Sequence, residues 1–132
     1  MTAGNAFDRV TADHVGMLGT MMNALALAEA LRGIGIDAVA LSAIGVPGVI
    51  QHFARDDAAA QLRAGRTLIL GGGTGNPFFT TDSCAALRAA QLGCREVLKA
   101  TKVDGVYTAD PMQDPTATRF DRLTFDEAIQ RG

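Results

Sequence analysis

At 132 residues, 48% of them hydrophobic and 20% charged, the chain has the size of one compact domain and enough apolar side chains for a core, which excludes disorder as its general state. Twelve basic against fourteen acidic side chains leave a net charge of −2, and Lys and Arg never cluster beyond pairs, so a nucleic-acid partner is not expected. No apolar run reaches the about 18 residues of a membrane span and the N-terminus lacks the basic-then-apolar order of a signal peptide, so the expected setting is cytoplasmic, away from membranes.

Residues 1–10 are small and polar without periodicity and read as a loop or frayed terminus. From Asp13 the residues Met17, Met21, Ala24, Ala28 and Leu31 recur at steps of three and four, with Leu18, Met22 and Leu25 on an adjoining stripe. This predicts a helix over 13–32, capped by Thr11 or Asp13 and ended by Gly33-Ile34-Gly35. Its apolar arc is wide enough for a second core layer or a partner subunit. Asp37 to Ala43 reads as a strand buried on both faces, and Arg55 to Ala64 as a helix with acid in its first turn. Thr67 to Leu70 is a strand running into Gly71-Gly72-Gly73, followed by a helix from Thr80 to Leu92. Glu96 to Ala100 reads as a further short strand and Val103 to Pro115 as turns. Thr124 and Glu127 form the capping box of a last helix. Alternating strands and helices predict an α/β fold with a mainly parallel sheet, yet so few strands, ending on a helix, look like part of a larger sheet.

The densest chemistry lies in Gly71 to Asp82, GGGTGNPFFTTD, between a strand and a helix. Ligands of open α/β sheets bind at the carboxyl ends of strands. Glycines let backbone amides approach an anion, and the helix opened by Thr80-Thr81-Asp82 points its own amides there. The alternative is a plain βα turn with threonine caps. A dinucleotide fingerprint fails because Asn76 stands where the third glycine belongs, and a Walker A loop fails because no Gly-Lys pair occurs. No G-x-S-x-G elbow appears, and His14, near a helix start, and His52, in a loop, have no spaced partners for a metal. Cys84 and Cys94 match no redox or zinc spacing and read as reduced, interior thiols. A second cluster, Lys99 to Pro111, sets two lysines, Thr101, Tyr107 and Asp110 around the Asp104-Gly105 turn. It leaves a strand on the edge where the glycine loop emerges, so two loops can frame one cleft, or this can be a solvated turn.

The string Gly71 to Asp82 followed by Leu98 to Pro111 (LKATKVDGVYTADP) resembles the bacterial UMP kinases, the uridylate kinases of the amino-acid kinase family. Ala12-Asp13-His14-Val15-Gly16-Met17-Leu18 and Asp114-Pro115-Thr116-Ala117-Thr118 are similar as well, and the likeness covers about residues 9–132. It implies a three-layer αβα sandwich, here one incomplete domain over 1–132, that transfers phosphate from ATP, with Mg²⁺, to UMP. Transfer would be in line, with no covalent enzyme intermediate and no general base. By resemblance Asp13 holds the ribose, and Thr74, Gly75, Asn76, Pro77, Phe78, Phe79, Thr80 and Thr81 line the UMP site. Thr101, Tyr107 and Asp110 meet ATP, and Asp82 is the carboxylate that orients catalytic lysines. The helix over 13–32 would form a dimer contact within a homohexamer. The family's N-terminal lysine segment, its other glycine loop with an arginine, and its C-terminal end have no counterpart, so the chain looks like an internal fragment, expected to be inactive alone. Two rivals are a non-catalytic nucleotide-binding or assembly module of this fold and a kinase acting on a carboxylate or carbamate.

Overall fold

The computed structural model describes residues 8–131, which pack as two compact units, the first ending at Val97 and the second beginning at Leu98. In the first unit, helix α1 (Arg9–Gly33) starts earlier than its periodicity suggests, because Asp8 is the N-cap and accepts from the Thr11 amide at 2.8 Å. The expected loop therefore ends before Arg9, and residues 1–7 lie outside the described residues. The predicted stripe is the inner face: Met17, Met21, Ala24 and Ala28 are buried. Leu18 and Met22, on the adjoining stripe, stay 52% and 71% exposed. The glycine triplet ends the helix as expected, with Gly35 at φ +85° and the Gly35 and Ile36 amides donating back to Arg32 and Leu31.

Three parallel strands follow in the order β2-β1-β3: β1 (Ala38–Ser42), β2 (Gln51–His52) and β3 (Thr67–Gly71), with helix α2 (Arg55–Arg63) between the last two. Val39 stands opposite Leu68 and Leu41 opposite Leu70. These side chains share one face and pack with Phe53, Ala58 of α2 and Leu92 of helix α3 (Thr81–Leu92). By strand alternation the other face belongs to α1, and a Cβ at Gly71 would indeed meet the Met21 Cα at 3.0 Å. The unit is thus helix, sheet and helices in three layers, the predicted α/β class. β2 was not expected: two exposed residues carry no readable pattern, and His52 lies in that strand rather than a loop.

The strand expected over Glu96–Ala100 does not form. Strand propensity becomes a strand only against a ladder partner, and among the described residues this segment has none; Val97 and Leu98 stay 54% and 89% exposed. In the second unit Tyr107 and Arg119 form an isolated antiparallel bridge. Helix α4 (Phe125–Arg131) carries the predicted capping box: the Thr124 amide donates to Glu127 Oε2 at 2.8 Å, and the Glu127 amide to Thr124 Oγ1 at 3.3 Å.

Candidate functional site

The glycine loop leaves the carboxyl end of β3 and is fastened to α1 at two places. The Gly72 amide donates to Thr20 Oγ1 at 2.9 Å, while that hydroxyl donates to the Met17 carbonyl at 2.7 Å. Six residues on, the Phe78 amide donates to Asp13 Oδ2 at 2.7 Å. Close approach is possible because β3 ends in glycine where the α1 backbone passes, and Gly72, Gly73 and Gly75 take φ of +74°, +56° and +82°, which only glycine adopts without strain. Thr74 and Asn76 close the tip on themselves, the Asn76 amide donating to Thr74 Oγ1 at 3.2 Å. Thr80 caps α3, accepting from the Ser83 amide at 3.1 Å.

Between loop and helix lies a cavity of about 230 Å³ lined by Asp13, Gly16, Met17 and Thr20 from α1 and by Thr74, Asn76, Phe79, Thr80 and Thr81 from the loop. Of the predicted site residues, Asp13, Thr74, Asn76, Phe79, Thr80 and Thr81 therefore meet around one space, although Asp13 lies far from the rest in sequence. Gly75, Pro77 and Phe78 belong to the loop without lining the cavity, and Asp82 stands in the first turn of α3 outside it. Gly16, Met17 and Thr20 were missed, although the steps 13, 16, 17 and 20 trace one helical face.

Among the described residues Asp13 is the only ionisable side chain on that lining. The Phe78 amide, and then the Arg9 guanidinium, hold its carboxyl below the ordinary carboxylate range. A carboxylate, hydroxyls, a carboxamide and an aromatic ring, with no lining cation, suit a ligand that donates hydrogen bonds and offers a flat face, such as a nucleoside, better than a bare phosphate. A larger groove of about 410 Å³ runs beside Leu68, Leu70, Ala89 and Leu92, with Arg88 on its wall. It follows the outer side of β3 and presents mainly apolar surface. Neither cysteine is deeply interior: Cys84 is partly buried and Cys94 exposed, both as free thiols.

In the second unit the Tyr107 hydroxyl donates to Asp104 Oδ1 at 2.6 Å and Arg119 donates to Oδ2 at 3.1 Å. This hydrogen bond raises the Tyr107 hydroxyl above its ordinary pKa and lowers the Asp104 carboxyl. Asp110 closes its own turn, accepting from the Met112 amide and from Gln113 Nε2, both at 2.9 Å. A cavity of about 370 Å³ is lined by Val106, Tyr107, Thr108, Phe120, Leu123, Ala128 and Arg131. Of the three residues expected at ATP, Tyr107 lines it, while Thr101 and Asp110 do not. The strand from which this cluster was expected to emerge is the one that does not form.

Comparison with known proteins sets this geometry in context. The model of the amino acid kinase family matches residues 1–132. The chain belongs to the amino acid kinase family. It is 57% identical to the uridylate kinase of Rhizobium etli and 56% to that of Agrobacterium fabrum, each over 130 residues, 98% of this chain and 54% of the relative. The solved UMP kinase of Ureaplasma parvum matches with a TM-score of 0.86 at 36% identity, covering 95% of this chain and 54% of that one. The UMP kinase of Bacillus anthracis matches with a TM-score of 0.88 at 32% identity, covering 95% and 52%. The chain spans about half the length of the curated relatives it matches. The stretch shared with these family members includes both Asp13 and the glycine loop, so the cavity between them is built from residues inside the aligned region.

Proposed function

We propose that the cavity between α1 and the glycine loop is the nucleoside subsite of a UMP kinase, which transfers the γ-phosphoryl group of ATP to UMP in pyrimidine nucleotide synthesis. The observation that carries this reading is the meeting of Asp13 with Thr74, Asn76, Phe79, Thr80 and Thr81 around one space. The uridylate kinase names of the relatives support it. Asp13 would accept from ribose hydroxyls. Asn76 and Thr81 would meet the polar edge of uracil and Phe79 its face, while Thr80 lines the site with its hydroxyl on the Ser83 amide. The UMP phosphate is ionised near neutral pH, so in-line attack on the γ-phosphorus needs positioning and charge neutralisation rather than a general base. Asp82 would orient lysines, and Thr101, Tyr107 and Asp110 would meet ATP, Tyr107 with its ring because its hydroxyl is engaged by Asp104.

Among the described residues no cation lines the nucleoside cavity, so phosphate neutralisation would come from the half of the fold found in the longer relatives, and the 132-residue chain alone would bind nucleoside monophosphate without turning it over. Among the described residues no group of three or more His, Cys, Asp or Glu could hold a metal ion. Mg²⁺ would arrive on the ATP phosphates. No helix among the described residues is long and apolar enough to cross a membrane. The proposed setting is the cytoplasm, as a homo-oligomer built on the exposed face of α1 and hexameric in the complete enzyme.

Calorimetric titration with UMP, ATP and a carboxylate such as acetate, beside an assay for UDP, tests the reading. Saturable UMP binding without UDP formation is the expected result. Heat from acetate and none from UMP would replace the substrate class, and UDP formation by the chain alone would overturn the inactive-half reading.

A further inference from the structure

Phe78 is the one non-glycine residue at positive φ, +72°, among the described residues. It stands in a turn directly after Pro77, where left-handed backbone ordinarily calls for Gly or Asn. A bulky residue in that region costs stability unless its surroundings over-determine it. Burial of the ring does not supply the compensation, since the residue is 63% exposed. What engages Phe78 comes from the first turns of α1. Its amide donates to Asp13 Oδ2 at 2.7 Å. Arg9 Nε lies 2.9 Å from each oxygen of the same carboxylate, and the Arg9 guanidinium carbon stands 5.8 Å from the centre of the Phe78 ring. Arg9 thus touches both partners of the amide bond, one helical turn ahead of Asp13 and outside the cavity lining.

The dihedral at Phe78 decides where the next residues point, and these are Phe79, Thr80 and Thr81, three of the cavity's walls. We propose that Arg9, Asp13 and Phe78 form a clasp that holds the strained turn in its ligand-receiving shape, with Arg9 as a positioning residue that never touches the nucleotide. The placement of the clasp is independent of what the cavity binds. Its consequence for UMP rests on the nucleoside-site reading above.

The test uses the full chain and reads the two parts separately. First, without nucleotide, the exchange rate of the Phe78 amide is measured by NMR or by mass spectrometry of the 74–80 segment. Arg9→Met is expected to speed exchange by about tenfold while leaving the melting midpoint nearly unchanged, because Arg9 is 65% exposed. Unchanged exchange overturns the clasp. Second, UMP is titrated into the same proteins. Arg9→Met is expected to weaken binding by about fivefold, and adding Phe78→Asn, a residue that accepts positive φ, to restore part of that loss. Faster exchange with unaltered UMP affinity, or no recovery in the double variant, overturns the positioning role. If the parent chain binds no UMP, the nucleoside reading fails and the exchange measurement alone judges the clasp. Should Arg9→Met not fold, Arg9→Lys, which keeps the charge but loses the fork, is expected to show a smaller acceleration of exchange, and parent-like exchange overturns the clasp.

Discussion

Two adjacent threonines divide the work at the start of α3. Thr80 spends its hydroxyl on the Ser83 amide, so Thr80→Ala is a loss of helix stability of about 1 kcal/mol. Thr81 follows as the first helical residue and lines the cavity. Thr81→Ala is therefore expected to weaken UMP by about 1 to 3 kcal/mol, because a polar group of the ligand is left unpaired, and to leave the melting midpoint close to that of the parent. Calorimetry and thermal denaturation on the pair separate the two roles. Asp13 gives a second prediction at this scale. Its folded pKa is lowered from an ordinary 3.8, first by the Phe78 amide and then by Arg9. The stabilisation from the ionised form is complete above that ordinary value and disappears as pH falls through the lowered one. NMR titration of the Asp13 carboxyl should show its midpoint below 3.8 in the parent and closer to it in Arg9→Met.

Among the elements, the end of β3 is the most constrained by backbone. Gly72 lies at φ +74°, and a Cβ there would press on the Ser42 hydroxyl and come within 3.2 Å of the Ala43 amide nitrogen. Gly72→Ala is expected to lower stability by about 1 to 3 kcal/mol through the strained dihedral and to disturb the Thr20 bond to this amide, measured as a lower denaturant midpoint with weaker UMP binding. Long periodic elements were legible in the sequence for good reason. The inner stripe of α1 repeats over four turns, and the Thr124–Glu127 capping box is a reciprocal pair at fixed spacing. What escaped was set by partners rather than by local pattern. β2 is two residues long and exists through pairing Leu41 with Gln51 and Ser42 with His52. The segment 96–100 has strand composition but no ladder. At the site, the loop was legible from its glycines and Asp13 from a resemblance. Thr20 and Arg9 were not, because their roles arise only when α1 lies across the carboxyl end of β3.

For the molecule as a whole, α1 is the element with two audiences. Its inner stripe is buried, while Val15, Leu18 and Met22 remain 53%, 52% and 71% exposed on neighbouring turns. Solvent-facing apolar side chains grouped on one helix are a mark of association. Met22→Lys is expected to shift the chain from dimer to monomer in sedimentation velocity without reducing helix content, and an unchanged sedimentation profile would remove α1 as the contact.

The hydrogen bonds that build the cavity are also those that join the most distant parts of the first unit: Phe78 to Asp13 spans 65 residues and Gly72 to Thr20 spans 52. Chain entropy opposes such long closures, and the packing of the buried α1 stripe on the sheet works with these two bonds across the same interval. On the proposed reading, a guest molecule gripping both sides would act like a staple across the first unit, so occupancy and foldedness would rise together. Recognition and cohesion in this protein would then be one equilibrium seen from two sides, with the chain at its most fragile when empty.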